Sequence, residues 1–409
     1  MTKLRQIIYK LQIFHKKPLH RSHFEKFLKK KKYQPIFFGR ARAGLIYAIE
    51  QSIKIRKKNN ILMSPYTIMD LVNCAHFAGA KIVFYDLNKD LKKFYPDLSF
   101  FEKELSKGIY SSLIITHYHL NYKFVRKLRD LCDQFEVDLI EDCAIAYDTT
   151  YHNNQPVGAY SDYALFSNSL FKFSNYLWGG FLHVSNHDNY KAINMTVRKF
   201  RTLSLTEYIP QIFKYLKFSL ISNIIIFNFI ISIFLKIEAL LGFRFFEKFL
   251  KNDPYLPFKT KPTKSYFTKP HSFYFSEMIR KRSYVNKSFD HRKLIFKSYN
   301  KHLSSLSINF SYSPDNLKGG FINFPILLSS GAQRIQLKKL LLMGGYDVAT
   351  QLYRNCASID GYPTENGNIK NLNNFIDRVL FLPTHNKISY DDSVKISKII
   401  ITYLQSLKT

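Results

Sequence analysis

The sequence predicts an α/β protein: a large domain on a mainly parallel sheet, a smaller C-terminal α/β domain, and an inserted apolar helical segment between them. Three observations carry this. From residue 37 to about 184, short apolar runs alternate with stretches of helical spacing. At 205 the composition changes, and residues 218–235 hold no charge at all. After a proline-bearing stretch at 259–272, strand and helix patterns resume.

Each element follows from its local pattern. The apolar runs 61–63, 81–85, 112–116, 137–140 and 163–166 have the length and side chains of buried strands. Between and after them, 43–54, 68–78, 121–135 and 188–200 read as helices. Such alternation gives parallel strands covered on both faces, and ligands bind outside the carboxyl ends of those strands. Residues 1–36 are a basic lead-in. They lack both an unbroken apolar stretch and a small-residue cleavage site, so no secretory signal is read there.

The insertion, 205–258, contains FSLISNIIIFNFIISIFL, preceded by Lys214 and Lys217 and followed by Lys236. This run is at the short end for a bilayer span, and its polar residues do not share one helical face. A single span would strand the C-terminal domain across the membrane from the sheet it should pack on. The expectation is therefore a shallow hairpin or an interfacial helix pair in peripheral or monotopic membrane contact, with a core helix as the other reading. Beyond it, 259–272 reads as a linker, 276–303 as one long basic helix, 320–328 as a strand, and 334–342 as a helix stopped by Gly344 and Gly345. A strand at 378–381 and an amphipathic helix at 391–406 close the chain. The expected divisions are 1–36, 37–204, 205–258 and 259–409, with no internal repeat.

The chain carries 409 residues and a formal charge of +31. That charge suits an anionic surface or anionic substrates. The lysines are spread along the chain, and no nucleic-acid-binding motif is present, so no nucleic-acid partner is read. Cys74, Cys132, Cys143 and Cys356 are far apart without C-x-x-C spacing, which points to a reducing compartment and to neither disulfides nor zinc.

The densest chemistry lies between 140 and 180. IEDCAIA ends an apolar strand in Asp142, and FSNSLFK places Ser167 and Lys172 after the next strand, ahead of Gly179 and Gly180. Singly, Asp142 reads as a helix N-cap, Lys172 as a surface lysine and Ser167 as a loop serine. Together they supply what pyridoxal phosphate requires: an amine for its aldehyde, a carboxylate for its ring nitrogen and a hydroxyl for its phosphate.

With GRARAGLIYAI from Gly39, SPYT at 64–67, AGAKIVFYDLN at 78–88, the pair of glycines and LPTH at 382–385, these blocks in order resemble the DegT/DnrJ/StrS-type sugar-nucleotide aminotransferases. The resemblance implies the fold-type I architecture of pyridoxal phosphate transferases. It implies that Lys172 binds the cofactor and shuttles protons, that Asp142 holds the pyridinium and that Ser167 bonds the phosphate. It further implies that backbone amides at Ala41 and Arg42 cradle that phosphate, that Tyr66 stacks on the ring and that His117 stands near it. The activity implied is transfer of an amino group, generally from glutamate, to a nucleotide-linked keto sugar, for glycan or surface polysaccharide biosynthesis. A homodimer in the cytoplasm, held at its membrane face by 205–258, completes the expectation.

The chain also departs from the pattern. Arg40-Ala41-Arg42 replaces the family's Ser-Gly-Thr, Ile145 stands at the family's glutamine, and Ser272-Phe273-Tyr274-Phe275-Ser276 stands at N-Y-R-M-S. These changes raise the alternative of a non-catalytic binding or scaffolding member. His117 and His119 point to one side of a strand, but no third ligand is evident, so no metal is read.

Overall fold

The structure, a computed structural model, describes residues 28, 33–118, 122–147, 149–151, 153–169, 172, 177–221, 233, 237, 257–308, 317–318, 323–346, 348–350, 352–358 and 369–407. Pro35–Phe38 (β1) turns through Gly39 and Arg40 into Ala41–Arg56 (α1). Then follow Asn60–Met63 (β2), Met69–Phe77 (α2), Lys81–Phe84 (β3), Leu98–Leu105 (α3), Tyr110–Thr116 (β4), Tyr122–Gln134 (α4), Asp138–Asp142 (β5), Tyr163–Ser167 (β6), Gly180–Val184 (β7) and His187–Arg198 (α5).

The seven strands form one sheet in the order β1-β7-β6-β5-β4-β2-β3. β3, β2, β4, β5 and β6 are parallel, while β7 is antiparallel to both β6 and β1. β4 shows why this sheet is covered twice. Leu113 and Ile115 enter one core cluster and Ile114 the other, because successive side chains of a strand point to opposite faces. An alternating strand with one wet face would carry polar residues at every second position; here apolar side chains fill both sets.

After α5 come Leu205–Ile221 (α6), Ser272–Arg280 (α7), Arg282–Leu303 (α8), Asn323–Leu327 (β8), Gly331–Met343 (α9), Lys370–Arg378 (α10), Val379–Pro383 (β9) and Tyr390–Ser406 (α11). β8 and β9 pair antiparallel, and Ile326, Leu380 and Leu382 pack with Leu337, Leu341, Ile396 and Ile400 into a separate core. α11 starts where it does because Ser389 and Asp392 form a reciprocal capping box.

The fold class predicted from the sequence is present, and most predicted elements are found within two or three residues. Three differences stand out. The long helix read at 276–303 is two helices, broken at Lys281. The stretch 259–272 is no free linker: Thr268–Lys269 pairs with Arg201–Thr202, Thr268 O accepts from Gly39 N at 2.7 Å, and Lys259 N donates to Asn73 at 2.9 Å. Strand β1 lies in a region read only as lead-in and boundary. Of the uncharged run at 218–235, residues 222–232, 234 and 235 lie outside the described residues. Among those described, no helix is long and apolar enough to cross a membrane. All four cysteines are buried and free.

Candidate active site

The site is built at the carboxyl ends of β5 and β6 and at the start of α1. In β5, Ile140 belongs to the core on the α1 side and Leu139 to the opposite core. Period-two alternation therefore puts Asp142 on the α1 side and Glu141 behind the sheet. Asp142 is buried, and its Oδ1 accepts from Ala144 N at 3.0 Å. Its carbonyl accepts from His117 N at 2.9 Å. Burial pushes its carboxyl pKa upward, opposed by the Lys172 ammonium and by the Ala144 N–H.

Lys172 is half-buried in a turn closed by its N–H to Ser169 O at 3.0 Å. Loss of water lowers its amine pKa; Asp142 opposes that shift and Arg42 adds to it. Amine and carboxylate thus act on each other across one site, 30 residues apart in the chain. Arg42 is itself ion-paired to buried Asp70, which also accepts from Tyr266 OH at 3.3 Å. Asp70 fixes the guanidinium at the edge of the site, where its charge favours a neutral Lys172.

The start of α1 forms the other end. Its cap residue, Arg40, makes no side-chain capping bond, and its first turn contains no acid. Exposed N–H groups at a helix start attract an anion. Ser167 is brought alongside because β6 and β7 pair Ser167 with Gly180, and Gly180 lies against α1. A Cβ on Gly180 would stand 2.7 Å from Ala41 Cβ and collide with Phe166 O. The Arg40 guanidinium lies 3.6 Å above the Trp178 ring, and burial together with Arg42 lowers its pKa to about 10. Among the described residues, neither Arg40 Nε nor Trp178 Nε1, both buried N–H donors, has an acceptor.

Buried donors are ordinarily satisfied, so two orphans beside an uncapped helix start mark a place for an anion. A carboxylate lies at the other end of the site and a desolvated amine beside it. The residues fit pyridoxal phosphate, which has an anion at one end and a protonatable ring nitrogen at the other. Asp142, Lys172, Arg42, Ala41 and Ser167 are thus brought to the carboxyl end of the central strands.

Tyr66 and His117 are each held in a buried side-chain network. Tyr66 is fully buried, stacked on Tyr118 at 5.9 Å and edge-on to Tyr353 and Phe375 at 5.5 and 5.4 Å. One face of its ring lies against Tyr118. His117 points behind the sheet: its Nε2 lies 3.2 Å from Tyr151 OH, which donates to Glu141 at 3.4 Å. Burial pushes the Glu141 carboxyl up to about 7. His117 belongs to that buried chain and not to the Asp142–Lys172 pair, because alternation from Leu113 and Ile115 puts it on the Glu141 face. Ile145 packs against the apolar core, as its side chain requires. His119 lies outside the described residues. Among the described residues no group of His, Cys, Asp or Glu could hold a metal ion.

Reading the sequence missed Tyr118 and Tyr353. Tyr353 comes from a segment whose Arg354–Asn355 pairs with Tyr66–Thr67, and Asp142 raises its phenol pKa further beyond the effect of burial. The only signal for Tyr118 was the aromatic between two histidines, and the histidines drew the attention.

Residues 20–205 match the DegT/DnrJ/EryC1/StrS aminotransferase family. Among solved structures, PseC of Helicobacter pylori, an aminotransferase involved in the biosynthesis of pseudoaminic acid, is 13% identical with a TM-score of 0.70, over 98% of this chain and 96% of that one. The aminotransferase TlmJ of Streptoalloteichus hindustanus is 14% identical with a TM-score of 0.67, over 94% and 90% of the two chains. The sugar aminotransferase CalS13 of Micromonospora echinospora is 14% identical with a TM-score of 0.66, over 93% and 90%. No curated protein matches the sequence.

Proposed function

We propose that this chain, a DegT/DnrJ/EryC1/StrS-type aminotransferase by its residues 20–205 and by its fold, transfers an amino group from an amino acid to a nucleotide-linked keto sugar using pyridoxal phosphate. The observation that carries the reading is the meeting of Lys172 and Asp142 beside an uncapped helix start with orphaned donors. Glutamate as donor and a homodimer are the family-level expectations; a product destined for glycan or surface polysaccharide is likewise an expectation of the sequence resemblance. The retained lysine and carboxylate argue against a purely scaffolding member, despite Ile145 and the two arginines.

Asp142 would hold the cofactor's ring nitrogen, with a carboxylate already ordered by Ala144 N–H. Ser167, Arg40, Arg42 and the amides at Ala41 would hold the phosphate. When bound, the cofactor supplies an aldehyde for amine attachment and an electron sink for the pair left at the substrate's α-carbon. Lys172 moves the proton. Its lowered pKa leaves more neutral amine than an ordinary lysine has, free to take a proton from the donor's α-carbon and to deliver one to the acceptor's. Burial of Asp142, with buried Tyr353 close enough for the two to act on each other, keeps water from the carboxylate that faces the amine.

The test is spectroscopic. Purified protein mixed with pyridoxal phosphate is expected to show the visible band of lysine-bound cofactor, to lose it in Lys172→Ala, and to change it on adding glutamate. A wild-type spectrum equal to the sum of free cofactor and protein rejects the enzyme reading.

Membrane contact has one further support. α6 exposes Leu205, Ile209 and Phe213, spaced four residues apart and thus on one face, with Lys214 and Lys217 nearby. The protein is expected to float with anionic phospholipid vesicles, and Phe213→Glu to reduce that fraction. Equal recovery with purely zwitterionic vesicles counts against an electrostatic contact.

A further inference from the structure

We infer that Tyr274 is a positioning residue for Lys172, acting through the base of the loop that carries it. The inference rests on reading Lys172 as the cofactor's lysine. The loop leaves β6 after Ser167 and re-enters the sheet at Gly180, and its base is closed by Asn168 N to Gly179 O at 3.0 Å. Tyr274 grips both residues of that base. Its hydroxyl donates to Asn168 Oδ1 at 2.7 Å, and both side chains are fully buried. Its ring lies against Gly179, where φ is +105° and a Cβ would come within 2.6 Å of the ring. No other side chain than hydrogen fits that contact without displacement, so ring and loop base form one packed unit.

Tyr274 comes from α7, 106 residues from Asn168 along the chain. It is held in turn by the edges of Phe37 and Phe275 at 6.4 and 5.3 Å. The segment returning from the insertion thus fixes the loop on which the amine stands. The amine's lowered pKa depends on its place: shifted outward, Lys172 gains water and leaves the field of Arg42. Tyr274 therefore sets how much neutral amine exists near neutral pH, without touching the reacting atoms.

The experiment needs no bound cofactor. Cofactor-free protein is pulse-labelled with an amine-reactive reagent across a pH series, and modification of Lys172 is followed by mass spectrometry, with surface lysines as internal reference. Tyr274→Phe deletes only the hydroxyl and its bond to Asn168. Its Lys172 midpoint is expected to rise toward that of the reference lysines. A merely structural Tyr274 would lower the melting temperature and leave the midpoint in place, and that result overturns the inference. Should Tyr274→Phe fail to fold, Asn168→Ala removes the same bond from the other side and is read in the same way. If wild-type protein shows no cofactor band, the functional reading fails separately, because the labelling midpoints are still measured.

Discussion

Asp142→Asn is expected to lower the amino-transfer rate by about 10² to 10⁴-fold, with a circular dichroism spectrum like that of the wild type. Leaving a buried charge without its partner costs about 3–5 kcal/mol, and each ~1.4 kcal/mol in a barrier is tenfold in rate. Asparagine keeps the shape and still accepts from Ala144 N, but it cannot balance a protonated ring nitrogen. It also changes Lys172. The carboxylate is the one neighbour that raises the amine's pKa against burial and Arg42, so its loss moves that pKa lower still. Labelling of Lys172 should therefore begin at lower pH in Asp142→Asn, while turnover falls. A variant with near wild-type turnover removes the carboxylate from the chemistry.

Gly180→Ala is expected to destabilise the fold by roughly 1–3 kcal/mol, the usual cost of overpacking, and to weaken cofactor binding beyond what lost stability explains. The added methyl collides with Phe166 O on β6 and with Ala41 at the start of α1. Neither contact is the end of a flexible side chain, so a strand or a helix must move. The movement separates Ser167 from the amides at Ala41, which are the two halves of the proposed phosphate cradle. Thermal melting with and without pyridoxal phosphate checks this. The stabilisation that the cofactor gives the wild type should shrink in the variant, and an undiminished increment would show that the cradle does not use this approach.

The sheet was legible because its strands bury both faces: successive apolar residues such as Leu113, Ile114 and Ile115 admit few other readings in this spacing. Asp142, Ser167 and Lys172 were legible because a strand end, a turn and a chemically reactive residue coincide within a short stretch. The place of Tyr66 was not. Its partners Tyr118, Tyr353 and Phe375 come from segments up to about 300 residues apart, and nothing local to SPYT announces them. His117 continues the alternation of Leu113 and Ile115 onto the face away from α1, so the period of β4, carried one residue past its end, already pointed it to Tyr151 and Glu141.

By itself, then, the amino-acid order determined the strand ends and the reactive groups standing on them, since hydrophobic period and turn chemistry are local properties. Tertiary structure decided which of those groups meet and in what charge environment. Arg42 beside Lys172, Asp70 holding Arg42, and Tyr274 under the lysine loop are contacts between distant segments. Burial and the charges those segments bring together, not residue type, move the amine and the carboxyl away from their ordinary ionisation.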